Sequence, residues 1–326
     1  MDPITHGVIG MAISKLAGNE ISISDAATAS IVIGSVFPDI DIVFQKWGDY
    51  AYLKNHRGIT HSIVGLMASS VFIAFLLSAF YTDANVYSLM FWALIGGFSH
   101  TFFDIFNSYG AKLLWPFSNR KFSLSLLIIF DPVFLASLVG YIYTSGMMQQ
   151  GFIALFAIYL LSRIIMRTFV SRELKRRFGK TSKRISLLPS MTSLFRWHFV
   201  LEEPSCNIIG EKSILKRDIR IMERLNKIQD ELLDKVLKSH VGQFFTEFTP
   251  IFHIMYEKVG GITRYILIDM RYYIRKDFLH HAVLEMDEND DIITASFNPY
   301  SINRVNTIPE PSVKPENSLF SRFVGL

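Results

Sequence analysis

With 326 residues, half of them hydrophobic, the chain is long enough for two domains. Its single cysteine, Cys206, excludes an intramolecular disulfide and suits a reducing compartment. A formal charge of +4 is too small to define a partner, so the placement of the charges has to be read instead.

The apolar excess lies before residue 171. Asp2 and His6 interrupt the start and no basic segment precedes them, so no cleavable signal peptide is expected. A short helix is expected to run to about Leu16, and a second from Asp25 to Phe37. Both are too short to span comfortably, so this hairpin is expected only to dip into a bilayer. Ser62–Tyr81 carries no charge and approaches the ~20 residues needed to cross a bilayer core. Val86–Phe106 is a second candidate, and Gly151–Val170 a third, with Arg163 and Arg167 near its end expected to snorkel to the interface. Between the second and third, 122–130 reads as an apolar interfacial or re-entrant piece. Asp131-Pro132 reads as a helix start, with aspartate as the cap and proline at the first helical position.

Lysines and arginines set the expected orientation. Residues 38–61 hold three (Lys46, Lys54, Arg57), 107–122 hold three (Lys112, Arg120, Lys121), and 171–184 hold seven. The alternate connections 18–24, 82–86 and 145–150 hold none. Under the positive-inside rule the basic connections are cytoplasmic.

After residue 184 the character changes. Ile185–Glu202, Gln243–Lys258, Gly261–Lys276 and Asp277–Glu285 read as strands, and Asp218–Ser239 as a helix by its apolar spacing. The fold class is therefore mainly α. A polytopic transmembrane helical bundle (1–170) is followed by a soluble, cytoplasmic α+β domain (171–306) and a tail (307–326).

Ionisable residues in membrane-like sequence are costly and usually functional. Four of the nine histidines, His6, His56, His61 and His100, lie in the first 100 residues, with Asp39, Asp41 and Asp104 interspersed. Histidine and carboxylate together suit a borderline divalent metal such as zinc. His100 and Asp104, four apart in a helix, project from one face and could hold one ion. Asp39 and Asp41 straddle a turn at Pro38, and only one of them need point inward. Asp41 or Asp131 could orient a ligand histidine, although a plain helix cap is the better reading of Asp131. His198, His240, His253, His280 and His281 read as ordinary residues of the soluble half, and Lys175–Lys180 as a basic patch beside anionic lipid rather than a nucleic-acid site.

At these residues the sequence resembles the YdjM-like family of bacterial membrane-bound metal-dependent hydrolases. The resemblance covers roughly residues 1–170. It rests on Thr5-His6-Gly7, Phe37-Pro38-Asp39-Ile40-Asp41, His56-Arg57-Gly58-Ile59-Thr60-His61-Ser62, His100-Thr101-Phe102-Phe103-Asp104, Ser108-Tyr109-Gly110, Leu114-Trp115-Pro116-Phe117 and Asp131-Pro132. The whole chain is similar to a longer form from Bacillus-type bacteria. The family is distantly similar to zinc-dependent phospholipases C. That similarity implies metal ligation by His6, Asp39 or Asp41, His56 or His61, His100 and Asp104. No histidine lies between His100 and His198, so the third metal position of those enzymes has no counterpart here.

The expected function is a membrane-bound hydrolase of a phosphoester or ester of a lipid or amphiphile, holding one or two divalent ions, zinc first. Metal ligands would be His6, Asp39, His56, His61, His100 and Asp104, with Asp41 and Arg57 in catalytic roles. Membrane lipid is the expected partner, with no nucleic acid, in a bacterial plasma membrane. The alternative is a non-catalytic membrane protein whose His/Asp cluster senses or passes a metal ion.

Overall fold

The computed structural model describes residues 1–274, 277–300, 303 and 305–308. The chain forms two compact units: one of Met1–Val43, Asn55–Val170 and Leu188–Trp197, the other of Phe44–Lys54, Ser171–Leu187 and His198 onward.

In the first unit α1 (Pro3–Leu16) starts at Asp2, whose carboxylate accepts from Thr5 N at 3.0 Å, with proline in the first turn. Helix α2 (Ala26–Val36) starts the same way at Asp25, and Ser14 and Thr28 join the two helices through their hydroxyls at 2.6 Å. The chain then continues as 3₁₀ turns over Phe37–Trp47, so Ala26–Trp47 makes one apolar helical stretch of 22 residues. The second arm of the hairpin is thus longer than the sequence reading allowed, because Pro38 tightens the helix without ending it.

A short α3 (Asp49–Asn55) and a 3₁₀ turn at Ile59–His61 lead into α4 (Ile63–Ser78), which Ser62 caps. The α3 segment and α4 meet at a 78° bend. Helix α5 (Val86–Ile105) crosses α2 with almost no gap. A Cβ on Gly34 would lie 2.2 Å from Ala93 O, and one on Gly96 would lie 2.2 Å from Ile31 O. Small residues permit this backbone approach, which is the usual way helices associate in lipid.

Residues 123–130 have no regular structure, yet several of their backbone N–H groups are paired. Leu124 N donates to Ile105 O, and Leu126 N and Leu127 N donate to Phe106 O. Irregular backbone at membrane depth is tolerated only when protein supplies such partners. Asp131 then caps α6 (Pro132–Tyr143), accepting from Phe134 N at 3.1 Å. Helix α7 (Gly146–Phe178) runs 33 residues, on the order of 50 Å, well beyond the ~30 Å of a bilayer core.

Arg163 of α7 does not snorkel. It is 2% exposed, donates to Leu126 O and Leu194 O, and stacks over Trp197 at 4.5 Å. Among the described residues, three helices could cross a membrane by length and composition, Ala26–Trp47, Val86–Ile105 and Gly146–Phe178, and a fourth if the bent pair around His61 counts as one span.

Beyond α7 the chain forms an antiparallel-rich α+β arrangement. Strands β1 (Arg184–Pro189), β2 (Arg196–Glu202), β3 (Cys206–Ser213) and β4 (Ile219–Asn226) make one sheet in that order. After α8 (Leu233–Lys238) and α9 (His240–Phe248) come β5 (Phe252–Val259), β6 (Ile262–Asp269), a small hairpin of β7 (Tyr273–Ile274) and β8 (Asp277–Phe278), β9 (His280–Met286), β10 (Ile292–Pro299) and β11 (Asn306–Thr307). The second sheet has the order β11-β10-β9-β6-β5.

Two sequence expectations fail in part here. Asp218–Ser239 is not one helix: only Leu233–Lys238 is helical, and Ile219–Asn226 is strand, because Ile219, Ile221 and Leu225 also fit a two-residue period and pairing with β3 selects the strand. Residues 243–248 are not strand either. Val241, Phe244, Phe245 and Phe248 form a helical stripe, and Ser239 caps it through Gly242 N at 3.0 Å. Of the tail expected from Thr307, residues 309–326 lie outside the described residues.

Candidate metal centre

The α2–α5 crossing at Gly34 and Gly96 sets the first half of the site. It places the Ser35 carbonyl 2.7 Å from His100 Nδ1. A carbonyl can only accept, so His100 carries its proton on Nδ1 and presents the Nε2 lone pair inward. One turn later Asp104 follows on the same face of α5.

His61 enters from the turn before α4. Its Nδ1 lies 3.0 Å from Thr60 Oγ1 and 3.7 Å from Asp41 Oδ2, and its Nε2 lies 3.0 Å from His100 Nε2. With the proton held on the Asp41 side, two lone pairs face each other, which is repulsive unless a cation or proton lies between them. His6, from the first turn of α1, stacks on the His100 ring at 3.6 Å and brings Nε2 to 3.3 Å from Asp104 Oδ1. Both of its ring nitrogens are buried without a hydrogen bond. Asp104 Oδ2 and Asp39 Oδ2 are in the same condition. The α-amine of Met1 ion-pairs with Asp104.

Successive residues in a 3₁₀ helix are turned by about 120°, and this separates the two aspartates after Pro38. Asp39 Oδ1 lies 3.5 Å from His100 Nε2 and 3.7 Å from His61 Nε2. Asp41 faces the loop instead. It contacts His56 Nδ1 at 2.8 Å and accepts from Arg57 N at 3.0 Å and Thr60 Oγ1 at 3.3 Å.

Arg57 is held in the left-handed region, φ 62°, which costs a side-chain-bearing residue of order 1 kcal/mol or more. Its guanidinium reaches Asp104 Oδ2 at 3.3 Å and Asn107 Oδ1 at 2.8 Å, and lies over the Tyr109 ring. Its own carbonyl accepts from Lys112 N.

Three sets of side chains have ligand atoms within 4.8 Å of one another: His6, Asp39 and His100; His61, His100 and Asp104; Asp39, Asp41 and His56. His100 has one nitrogen to give, so the first two sets describe a single point ringed by His6, Asp39, His61, His100 and Asp104. Imidazole and carboxylate donors of this kind suit zinc and its first-row neighbours, and the orphaned buried atoms are those a cation would satisfy. The third set leaves room for a second ion with Asp39 shared. Asp131 is not brought here. Its second oxygen accepts from Tyr159 Oη at 2.6 Å, so it works as a cap. Among the described residues, no such set falls in the C-terminal α+β half.

Two contributors carried little sequence signal. The Ser35 carbonyl is backbone and leaves none. Asn107 lies between the His100–Asp104 pair and Ser108-Tyr109-Gly110; a buried, uncharged polar residue just past a helix end was the available clue.

The chain belongs to the YdjM inner membrane protein family, whose model matches residues 1–173, and with its apolar helices it is a membrane protein. The YfhP C-terminal alpha/beta plait domain matches residues 231–306. A similar relative is the uncharacterized protein YfhP of Bacillus subtilis, 28% identical over 301 residues, which are 88% of this chain and 91% of that one. No solved structure matches.

Proposed function

We propose that this protein is a membrane-embedded metal-dependent hydrolase of a phosphoester or ester in a lipid or other amphiphile. One observation carries the reading: His6, Asp39, His61, His100 and Asp104 converge on one buried point, where both ring nitrogens of His6 and one carboxylate oxygen each of Asp39 and Asp104 make no hydrogen bond. A metal site buried among apolar helices is placed for substrates that arrive through the bilayer. Zinc is the first choice, as one or two ions. When bound, it would supply Lewis acidity and a water whose pKa is lowered toward ~7.

The residues divide the remaining work. Asp39, with an unsatisfied oxygen beside His61 and His100, is a ligand. Asp41, already occupied by His56, Arg57 and Thr60, fixes the His56 ring so that its Nε2 is the accepting atom, which Arg57 Nε meets at 3.3 Å. Arg57 offsets the carboxylate charge and supports negative charge developing on the substrate. The lysine and arginine distribution supports a multi-pass arrangement with the site near the cytoplasmic face.

Elemental analysis of the full chain purified in detergent tests this. Wild type should carry stoichiometric divalent metal, Asp39→Asn should lose most of it, and Asp41→Asn should keep it. His100→Ala and Asp104→Ala should abolish hydrolysis across a panel of phospholipids and carboxylic esters. A folded, metal-free wild type would refute the metal centre. Bound metal with no hydrolysis and measurable metal flux in liposomes would favour ion sensing or passage.

A further inference from the structure

We infer that Asn107 is a positioning residue that sets the metal affinity of the centre by holding Asp104 and Arg57 in register. The residue is completely buried one turn past Asp104, in the loop that leaves α5. Its amide nitrogen donates to Asp104 Oδ1 at 3.1 Å. The amide oxygen accepts from Arg57 Nη1 at 2.8 Å, Tyr109 N at 2.9 Å and Gly110 N at 3.1 Å. Its backbone carbonyl accepts from Ser123 Oγ at 2.6 Å, which ties the loop to segment 123–130.

Only a neutral amide serves all of these partners. A carboxylate cannot donate to Asp104, and an ammonium cannot accept from Arg57 and two backbone N–H groups. The loop geometry is equally committed. Gly110 has φ 68°, and a Cβ there would lie 2.2 Å from Phe122 O, so the chain cannot shift to compensate.

With Oδ1 bound by Asn107, Oδ2 makes no hydrogen bond and lies 3.4 Å from His61 Nε2 and 3.8 Å from His100 Nε2, with Arg57 beside it. Groups that orient a ligand in this way typically contribute 10–100-fold to metal affinity. The inference rests on Asp104 being a ligand, and its test separates the two ideas.

Full-length protein in detergent would be stripped with chelator and titrated with Zn²⁺ against a fluorescent zinc chelator, with thermal unfolding of the metal-free form measured alongside. Asn107→Ala should weaken Zn²⁺ binding by about 10–100-fold. The titration is run below the unfolding temperature of the metal-free variant, so the loss of affinity is read on folded protein and apart from any loss of stability. Lowered unfolding temperatures with unchanged Zn²⁺ affinity would make Asn107 merely structural and overturn the inference. Wild type without Zn²⁺ binding would instead overturn the metal centre itself.

Discussion

Gly96→Ala should cripple the metal centre although Gly96 touches none of its ligands. The added Cβ would fall 2.2 Å from Ile31 O, 2.7 Å from Ser35 N and 3.0 Å from Gly34 C, all backbone of α2. Carbon–oxygen contacts sit near 3.3 Å or beyond, so the helices must part by about 1 Å at this point. That displacement takes the His100 Nδ1 bond to Ser35 O from 2.7 Å to well outside hydrogen-bonding range. Alanine gains about 1 kcal/mol of helix propensity over glycine. Against this stand overpacking of about 1–3 kcal/mol and loss of a buried hydrogen bond of about 1 kcal/mol, so the clash wins. Gly97→Ala is the control: its Cβ would press only on the tip of Leu66, Cδ2 at 3.1 Å, and would stand in ordinary contact with Gly34 O at 3.7 Å. The assay is thermal unfolding with Zn²⁺ titration in detergent. Gly96→Ala should lower both unfolding temperature and affinity, by about 10–100-fold for the latter, and Gly97→Ala should leave affinity alone. Equal behaviour of the two variants would refute the link from helix crossing to ligand.

With Cys206 buried as the sole background thiol, cysteines at Asn55 and Ser108 should react with an impermeant reagent only after cells are opened, and one at Asn85 in intact cells. The reverse pattern would invert the proposed topology. In the C-terminal α+β half, burial first and then the Lys227 charge push His253 down to about 4. Burial also pushes His280 down to about 4, against the attraction of Asp269. Free imidazoles titrate near ~6.5, so acid protonates the unfolded chain first: the stabilisation is complete above that value and lost as pH falls toward 4, by about 2 kcal/mol per histidine at pH 5. Hydrogen exchange in β5 and β9, corrected for intrinsic rates, should therefore speed up between pH 7.5 and 5. Flat protection across that range would show that the rings are not held neutral.

Much of the candidate site was legible because its residue types are expensive where they stand. His100 and Asp104 advertise a shared face through their spacing, and Pro38-Asp39-Ile40-Asp41 announces a tight, acidic turn. What the sequence could not say was which aspartate faces His100. That depends on the 3₁₀ twist after α2 and on His56 and Arg57 N, residues far along the chain, capturing Asp41. β4 was misread because three apolar positions fit both periods, and only pairing with β3 decides between them. The α9 stripe, by contrast, was there to be read: the density of aromatics in 243–258 drew attention to strand propensity and away from helical spacing.

Arg163 illustrates how the same cost argument can mislead. An arginine near the end of an apolar helix should snorkel if lipid surrounds it, but here protein supplies better partners than water at that depth. Its Nε reaches the carbonyl of Leu126 in the irregular segment 123–130 at 3.0 Å, Nη1 reaches the carbonyl of Leu194, and Trp197 offers its ring face. One planar group thus ties α7, segment 123–130 and residues 188–197 together, which a lysine ammonium cannot do with the same fork. Arg163→Lys should keep the charge and lose one of the two carbonyls, costing about 1–3 kcal/mol for the acceptor left buried and unpaired. Trp197→Ala should cost about 3–5 kcal/mol by opening a cavity where a completely buried ring had been. The double variant should cost less than the sum, because both remove one contact. Thermal unfolding of the variants in detergent measures all three; strict additivity would mean that the cation and the ring are not coupled and that residues 188–197 join the membrane unit by some other contact.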